Sequence, residues 1–250
     1  MATSTGYYIY GFTNCNGLVD TATKAIGGVS IVQNIPLYGI GVLCSPVNGK
    51  ELLYRTRDNM GAHQVVLESW IKKYDVLPAR FGQVAQSKGA LYNGVRSALP
   101  IIRSEFQHYK GKREMNLKAF WVKEFIYDHI QKKYPKIERF KEQIKKMKGP
   151  NVHYKCIEIG QLVERTLLAE SEAEAELIVK EISPIALQYK KNKTFGELMF
   201  LNMAILVNNE KLNGLDNLVN HIAEKQEGKA VFKYFGPNAP GSFVNIHLKF

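Results

Sequence analysis

The residues with the widest chemical range in this 250-residue chain are its six histidines and three cysteines, and their spacing limits what they can do. His63 belongs to a stripe of His63, Val66, Leu67, Trp70, Ile71 and Tyr74 at helical intervals, which makes it a candidate buried base. No serine or cysteine nucleophile is placed near it by the sequence, and a core histidine with one backbone hydrogen bond is the commoner outcome of such a position. His153 and Cys156 fall at i, i+3 and could share a metal, but two ligands do not complete a site. Cys15, Cys44 and Cys156 are odd in number and lack C-x-x-C spacing, so they supply neither a disulfide framework nor a zinc signature, and they fit a reducing, intracellular compartment. Phosphate-loop, serine-hydrolase and zinc-protease signatures are absent. No metal, no cofactor and no catalytic residue is expected.

Charged residues suggest two pairings. Glu68 flanks the His63 helix, and Arg80 sits in "VLPARFG" (Val76–Gly82), an apolar run interrupted by Pro78 and a cation. A buried unpaired arginine would cost several kcal/mol, so Arg80 is expected to meet Glu68. The formal charge is +11, and Gln131–Lys148 holds eight basic and two acidic residues while Glu164–Glu181 holds six acidic and two basic. These blocks are expected to lie against each other as antiparallel helices reversing at Gly149-Pro150. Tyr134 and Phe140 within the basic block would otherwise serve as stacking platforms for RNA, the rival reading of that charge.

The elements that position these residues follow from periodicity. "GYYIYGF", "GGVSIVQN" and "IPLYGIGVLC" read as strands. The His63 helix follows, then a strand over Val76–Val84 and a helix from about Lys88 to Tyr109 stopped at Gly111. "EMNLKAFWV" (Glu114–Val122) is a further strand, with charged helical sequence from Lys123 to Met147 and again to about Leu187. "ELMFLNMAILV" (Glu197–Val207) is apolar on both faces and suits a central strand. A helix over Lys211–Glu227 and two final strands, "AVFKYFG" and "SFVNIHLKF", complete the order β-α-β-α-β-β. The fold class is α+β, with two tandem α+β domains, residues 1–110 and 111–250, the second a modified ferredoxin-like fold with long helices. No basic leader precedes an apolar core and no run reaches 18 apolar residues, so neither secretion nor membrane spanning is expected.

In order along the chain, "YIYG" at Tyr8–Gly11, H-x-x-V-L-E at His63, Val66, Leu67 and Glu68, "VLPARFG", "LN-M-AILV" at Leu201–Val207 and "GPNAPGSFV" at Gly236–Val244 resemble the GvpF/GvpL family of gas vesicle proteins, on its GvpF side. The pairing of H-x-x-V-L-E with LP-x-RFG about ten residues later is the most specific part. The family's terminal turn is usually G-P-W-P-P-Y-S-F; here Asn238, Ala239 and Gly241 replace the Trp, one Pro and the Tyr. The segment after "KGKRE" reads "MNLKAFW", where a Trp-Gly-Val-Lys type sequence is frequent.

The resemblance implies a non-enzymatic minor component of gas vesicles inside the cytoplasm. It would act in assembly by binding the small, very hydrophobic shell protein GvpA, together with other vesicle accessory proteins, and by preventing its aggregation. It implies no nucleic acid and no lipid membrane as partner. The structural or partner-binding candidates are His63, Glu68, Pro78, Arg80, Phe81, Gly82, Asn202, Gly236, Pro237, Pro240 and Phe243. The competing classes are a small-molecule enzyme built on the ferredoxin-like domain and an RNA-binding protein using the basic helix. The shell protein is expected to contact the second domain, at the final strand and the "GPNAPG" turn.

Overall fold

The computed structural model describes residues 5–22, 25–26, 31–48, 53–149 and 151–250. The chain divides into two compact units, Met1–Glu114 with Gly236–Phe250, and Met115–Phe235. The last residues, expected with the second domain, therefore cluster with the first unit.

Unit 1 is built on a six-stranded sheet. Its strands are β1 (Thr5–Thr13), β2 (Val19–Ala22), β3 (Ile31–Leu37), β4 (Ile40–Asn48), β5 (Val76–Pro78) and β6 (Val84–Ala85). The order is β2-β3-β4-β1-β5, with β6 also paired to β1. The start of the expected strand "GGVSIVQN" lies outside the described residues. Helices α1 (Arg57–Ile71) and α2 (Lys88–Tyr109) begin at Thr56 and Ser87, whose side chains accept from the Asn59 and Ala90 amides. Tyr8, Tyr10 and Leu43 share a core with Val66, Leu67 and Trp70 of α1. Ile9, Phe12 and Val42 share another with Leu91, Val95 and Ile102 of α2. Strand β1 serves both because its side chains alternate between the two faces, and the register shift between Ile9 and Gly11 brings Ile9 and Phe12, three residues apart, into the same core.

The single strand expected over Val76–Val84 is two. Pro78 donates no backbone hydrogen, and Gly82 turns the chain at φ +90°, a conformation that favours glycine. The final strand expected over Ser242–Phe250 is also absent. Val244, Ile246 and Leu248 do alternate into the α2-side core, but the segment makes one isolated bridge, Ala79 with Ile246. Gln83 replaces the missing ladder: its side-chain amide donates to the Ile246 carbonyl at 3.0 Å and accepts from the Leu248 amide at 2.6 Å. Glu114 anchors the start of the same tail by accepting from both the backbone amide and the hydroxyl of Ser242, each at 2.7 Å.

The second sheet comprises β7 (Lys112–Trp121), β8 (Gln188–Lys191), β9 (Met199–Asn208) and β10 (Ala230–Asn238), in the order β10-β7-β9-β8. Between them run α3 (Lys123–Lys133), α4 (Pro135–Lys146), the uninterrupted α5 (Asn151–Ile182) and α6 (Leu212–Lys225). Sequence order β-α-β-β-α-β with that strand order is the ferredoxin-like arrangement, enlarged by extra helices between its first two strands. The expected β-α-β-α-β-β order missed β8 and counted the absent terminal strand. The helical run from Lys123 breaks at Tyr134, because Pro135 has no amide to continue α3 and instead opens α4. Leu117, Trp121, Met203 and Ile205 pack with Ile178 and Ile182 of α5 and Leu215 and Ile222 of α6.

Candidate binding surfaces

Around His63, the motif residues form a closed cluster in unit 1. The imidazole is buried against Tyr8, Tyr10 and Phe81, with ring centres 5.5 to 5.8 Å away. Burial pushes its pKa down to about 4, so it is neutral, and burial likewise pushes the Tyr8 phenol up. A backbone amide can only donate, and Gly82 donates to the Tyr8 oxygen at 3.4 Å. The Tyr8 hydroxyl and His63 Nδ1 are hydrogen-bonded at 2.8 Å, the direction being set by which ring nitrogen of the neutral imidazole carries the proton. The expected backbone bond to His63 is thus a side-chain bond. Gly11 permits the close approach of β5, since a Cβ there would lie 2.5 Å from the Leu77 carbonyl oxygen.

Glu68 and Arg80 do not pair. Glu68 is exposed and accepts from Gln64 at 3.0 Å, and Gln64 also donates to Asn238 at 3.1 Å. Arg80 is exposed because the turn carries its side chain away from the core, so solvent replaces the carboxylate it was expected to need. A cavity of about 310 Å³ lies beside the cluster, lined by His63, Gln64, Arg80, Phe81, Val244 and Asn245 among others. In the same unit Gly236 precedes a cis proline, Pro237; Pro240 is buried, and its carbonyl accepts from the Phe243 amide.

Unit 2 presents a different surface. Strand β8 ends the sheet order, paired on one side to β9 and exposed at all four residues. The bond from the Asn192 amide to the Asn202 carbonyl sets the alternation of this antiparallel pair, which leaves the Tyr189 and Lys191 amides pointing away from the sheet. Apolar side chains border the edge: Tyr189 is 43 % exposed, Phe195 in the β8–β9 connection 68 % and Leu168 of α5 58 %. Leu168 lines a cavity of about 400 Å³ with Ala175, Lys191, Met199 and Phe200. The Asn202 side chain holds its rim by donating to the Lys193 carbonyl at 2.8 Å. Beneath it Trp121 stacks on Phe200 at 4.3 Å and donates to Ser171 at 2.9 Å.

Among the described residues, Glu170 of the acidic block joins the basic block. Glu170 accepts from His129, Lys133 and Tyr134; burial alone would raise its pKa, but these bonds outweigh it and hold the carboxyl below its usual value. Elsewhere the acidic block turns to other elements, Glu176 to Lys191 and Glu181 to Lys225. His153 and Cys156 lie exposed on the first turns of α5, and no group of three or more metal-ligating side chains occurs among the described residues.

The family model for "Gas vesicle synthesis protein GvpL/GvpF" matches residues 6–245. The chain belongs to that family. Gas vesicle protein F of Nostoc sp. (strain PCC 7120) is 26% identical over 247 residues, covering 97% of this chain and 99% of that protein. Gas vesicle protein F of Dolichospermum flosaquae is 27% identical over 201 residues, 79% of this chain and 81% of that one. The crystal structure of GvpF from Anabaena sp. PCC7120 superposes with a TM-score of 0.81 at 24% identity, covering 98% of this chain and 100% of that one. GvpF from Microcystis aeruginosa superposes with a TM-score of 0.74 at 21% identity, covering 96% and 99%. These solved structures share the fold. Membership of the GvpL/GvpF family associates the chain with gas vesicles, and no helix among its described residues is long and apolar enough to cross a membrane.

Proposed function

We propose that this GvpL/GvpF member is a non-enzymatic assembly factor that binds the hydrophobic shell protein of gas vesicles, GvpA, in the cytoplasm and keeps it from aggregating until it enters the vesicle. The observation that carries the reading is the exposed β8 edge with Leu168, Tyr189 and Phe195 beside it. An aggregation-prone subunit exposes apolar strand, and a sheet edge offers it main-chain hydrogen bonds while neighbouring apolar side chains cover its face. Such a contact is small enough to release, which a carrier requires. On this reading the contact lies on β8 of unit 2 and not on the terminal segment, which packs into the unit 1 core. His63, neutral and hydrogen-bonded to Tyr8, holds α1 to β1 in this account, and the basic helix serves stability through Glu170.

Two experiments test the reading. Deleting the gene in a vesicle-forming cell is expected to abolish vesicles by electron microscopy. Co-expressing the shell protein with this chain is expected to raise its soluble fraction. Unchanged vesicles together with unchanged shell solubility would refute the proposal.

A further inference from the structure

The helix-covered face of the unit 2 sheet is occupied by the core, and its opposite face carries a separate pattern. On β7, Asn116, Lys118 and Phe120 alternate with the buried Leu117, Ala119 and Trp121. On β10, Val231, Lys233 and Phe235 alternate with Phe232 and Tyr234, which pack against the core. Val231 is 52 % exposed and Phe235 45 %. The Lys118 ammonium lies 5.5 Å from the ring centre of Phe235, and the Lys233 ammonium 5.4 Å from that of Phe120. Each lysine of one strand thus meets a phenylalanine of the other, giving a chequerboard of two cations and two rings. None of these six positions is acidic.

We propose that this face binds an acidic, extended polypeptide segment of another protein. Lysines held over rings are partly ordered before binding, which lowers the entropy lost when a carboxylate joins them. Strand β10 is the other edge of the sheet, so an extended segment can lie along it with alternate side chains over the chequerboard. A single-stranded nucleic acid fits less well, since a base stacking on either ring would have to displace an ammonium, whereas a carboxylate adds to it. A second copy of the chain fits less well too, because each carries +11.

The probe is a fluorescein-labelled oligoglutamate titrated against the full chain by anisotropy at low ionic strength. Lys118→Gln with Lys233→Gln should weaken binding on the order of tenfold, from two exposed ion pairs. The paired arginine variants, Lys118→Arg with Lys233→Arg, should restore it, and Lys136→Gln with Arg139→Gln on α4 should leave it unchanged. Equal losses in the sheet and α4 variants would mean binding by net charge alone and would overturn the proposal. So would undetectable binding by the native chain, or an oligothymidylate that binds more tightly than the peptide and loses its affinity in the sheet variant.

Discussion

The His63 cluster in unit 1 and the β8 edge in unit 2 are opposite solutions to the same problem of setting a helix beside a strand. In the first, His63 Nδ1, the Tyr8 hydroxyl and the Gly82 amide satisfy one another, and the rings of Tyr8, Tyr10 and Phe81 close over them. In the second, backbone amides point outward and Leu168 and Phe195 stay exposed. The comparison separates two reasons for a distinctive sequence. YIYG, H-x-x-V-L-E and LP-x-RFG are specific because a close-approach glycine, a buried histidine and a positive-φ turn each tolerate few residues. An edge that binds needs only exposed apolar residues and a strand, and it leaves no motif.

Stability should therefore break in unit 1, and the largest effect is expected from ending the chain after Asn238. That truncation strips the unit 1 core of Val244, Ile246 and Leu248. At about 1.5–3 kcal/mol for each buried side chain, the loss is roughly 5 kcal/mol or more. Unit 1 should unfold while unit 2 survives. The chain's two tryptophans report this separately, Trp70 from unit 1 and Trp121 from unit 2: emission should shift red in the truncated Trp121→Phe variant and stay native in the truncated Trp70→Phe variant.

Acid should act on unit 1 next. The folded His63 titrates near 4 against an ordinary 6.5, so between those values the unfolded chain binds more protons, and stability falls as pH drops from 6.5 towards 4. The full shift corresponds to about 3 kcal/mol, present above pH 6.5 and lost on acidification. Chemical denaturation of native and His63→Gln protein across that range measures it: the difference between their stabilities should shrink by about that amount as the pH falls. A smaller change is expected in unit 2, where Glu170→Gln weakens the junction of α3 and α5 and should cost about 1–2 kcal/mol in denaturant titrations. The smallest is Leu168→Glu, an exposed position where folding stability should move by no more than about 0.5 kcal/mol.

The sequence made the long periodic elements legible: α2 over Lys88–Tyr109, β9 with both faces apolar, and the α1 stripe that begins at His63. It hid β8, because Gln188–Lys191 is polar and exposed throughout and shows no alternation. Val244, Ile246 and Leu248 misled for the converse reason. Their alternation is that of a strand, but the ladder is supplied by the Gln83 side chain, which no period reveals. Arg80 lies in an apolar run whose strand ends before the Gly82 turn, so its exposed side chain has no burial to require a salt bridge. The surface proposed for shell binding is illegible for the same reason as β8: exposed leucine, tyrosine and phenylalanine gather there from α5, β8 and the following loop only once the chain has folded.

The most direct test of the account is to close the β8 edge without disturbing the sheet. Tyr189→Pro removes an amide that points away from β9, a substitution an edge strand accommodates, and circular dichroism should confirm an intact fold. Combined with Leu168→Glu, it should reduce the soluble shell protein recovered on co-expression to the level obtained without this chain, while His63→Gln at neutral pH, if it stays folded, should protect as well as the native sequence. Full protection by the Tyr189→Pro, Leu168→Glu double variant would contradict the assignment of shell binding to the unit 2 edge.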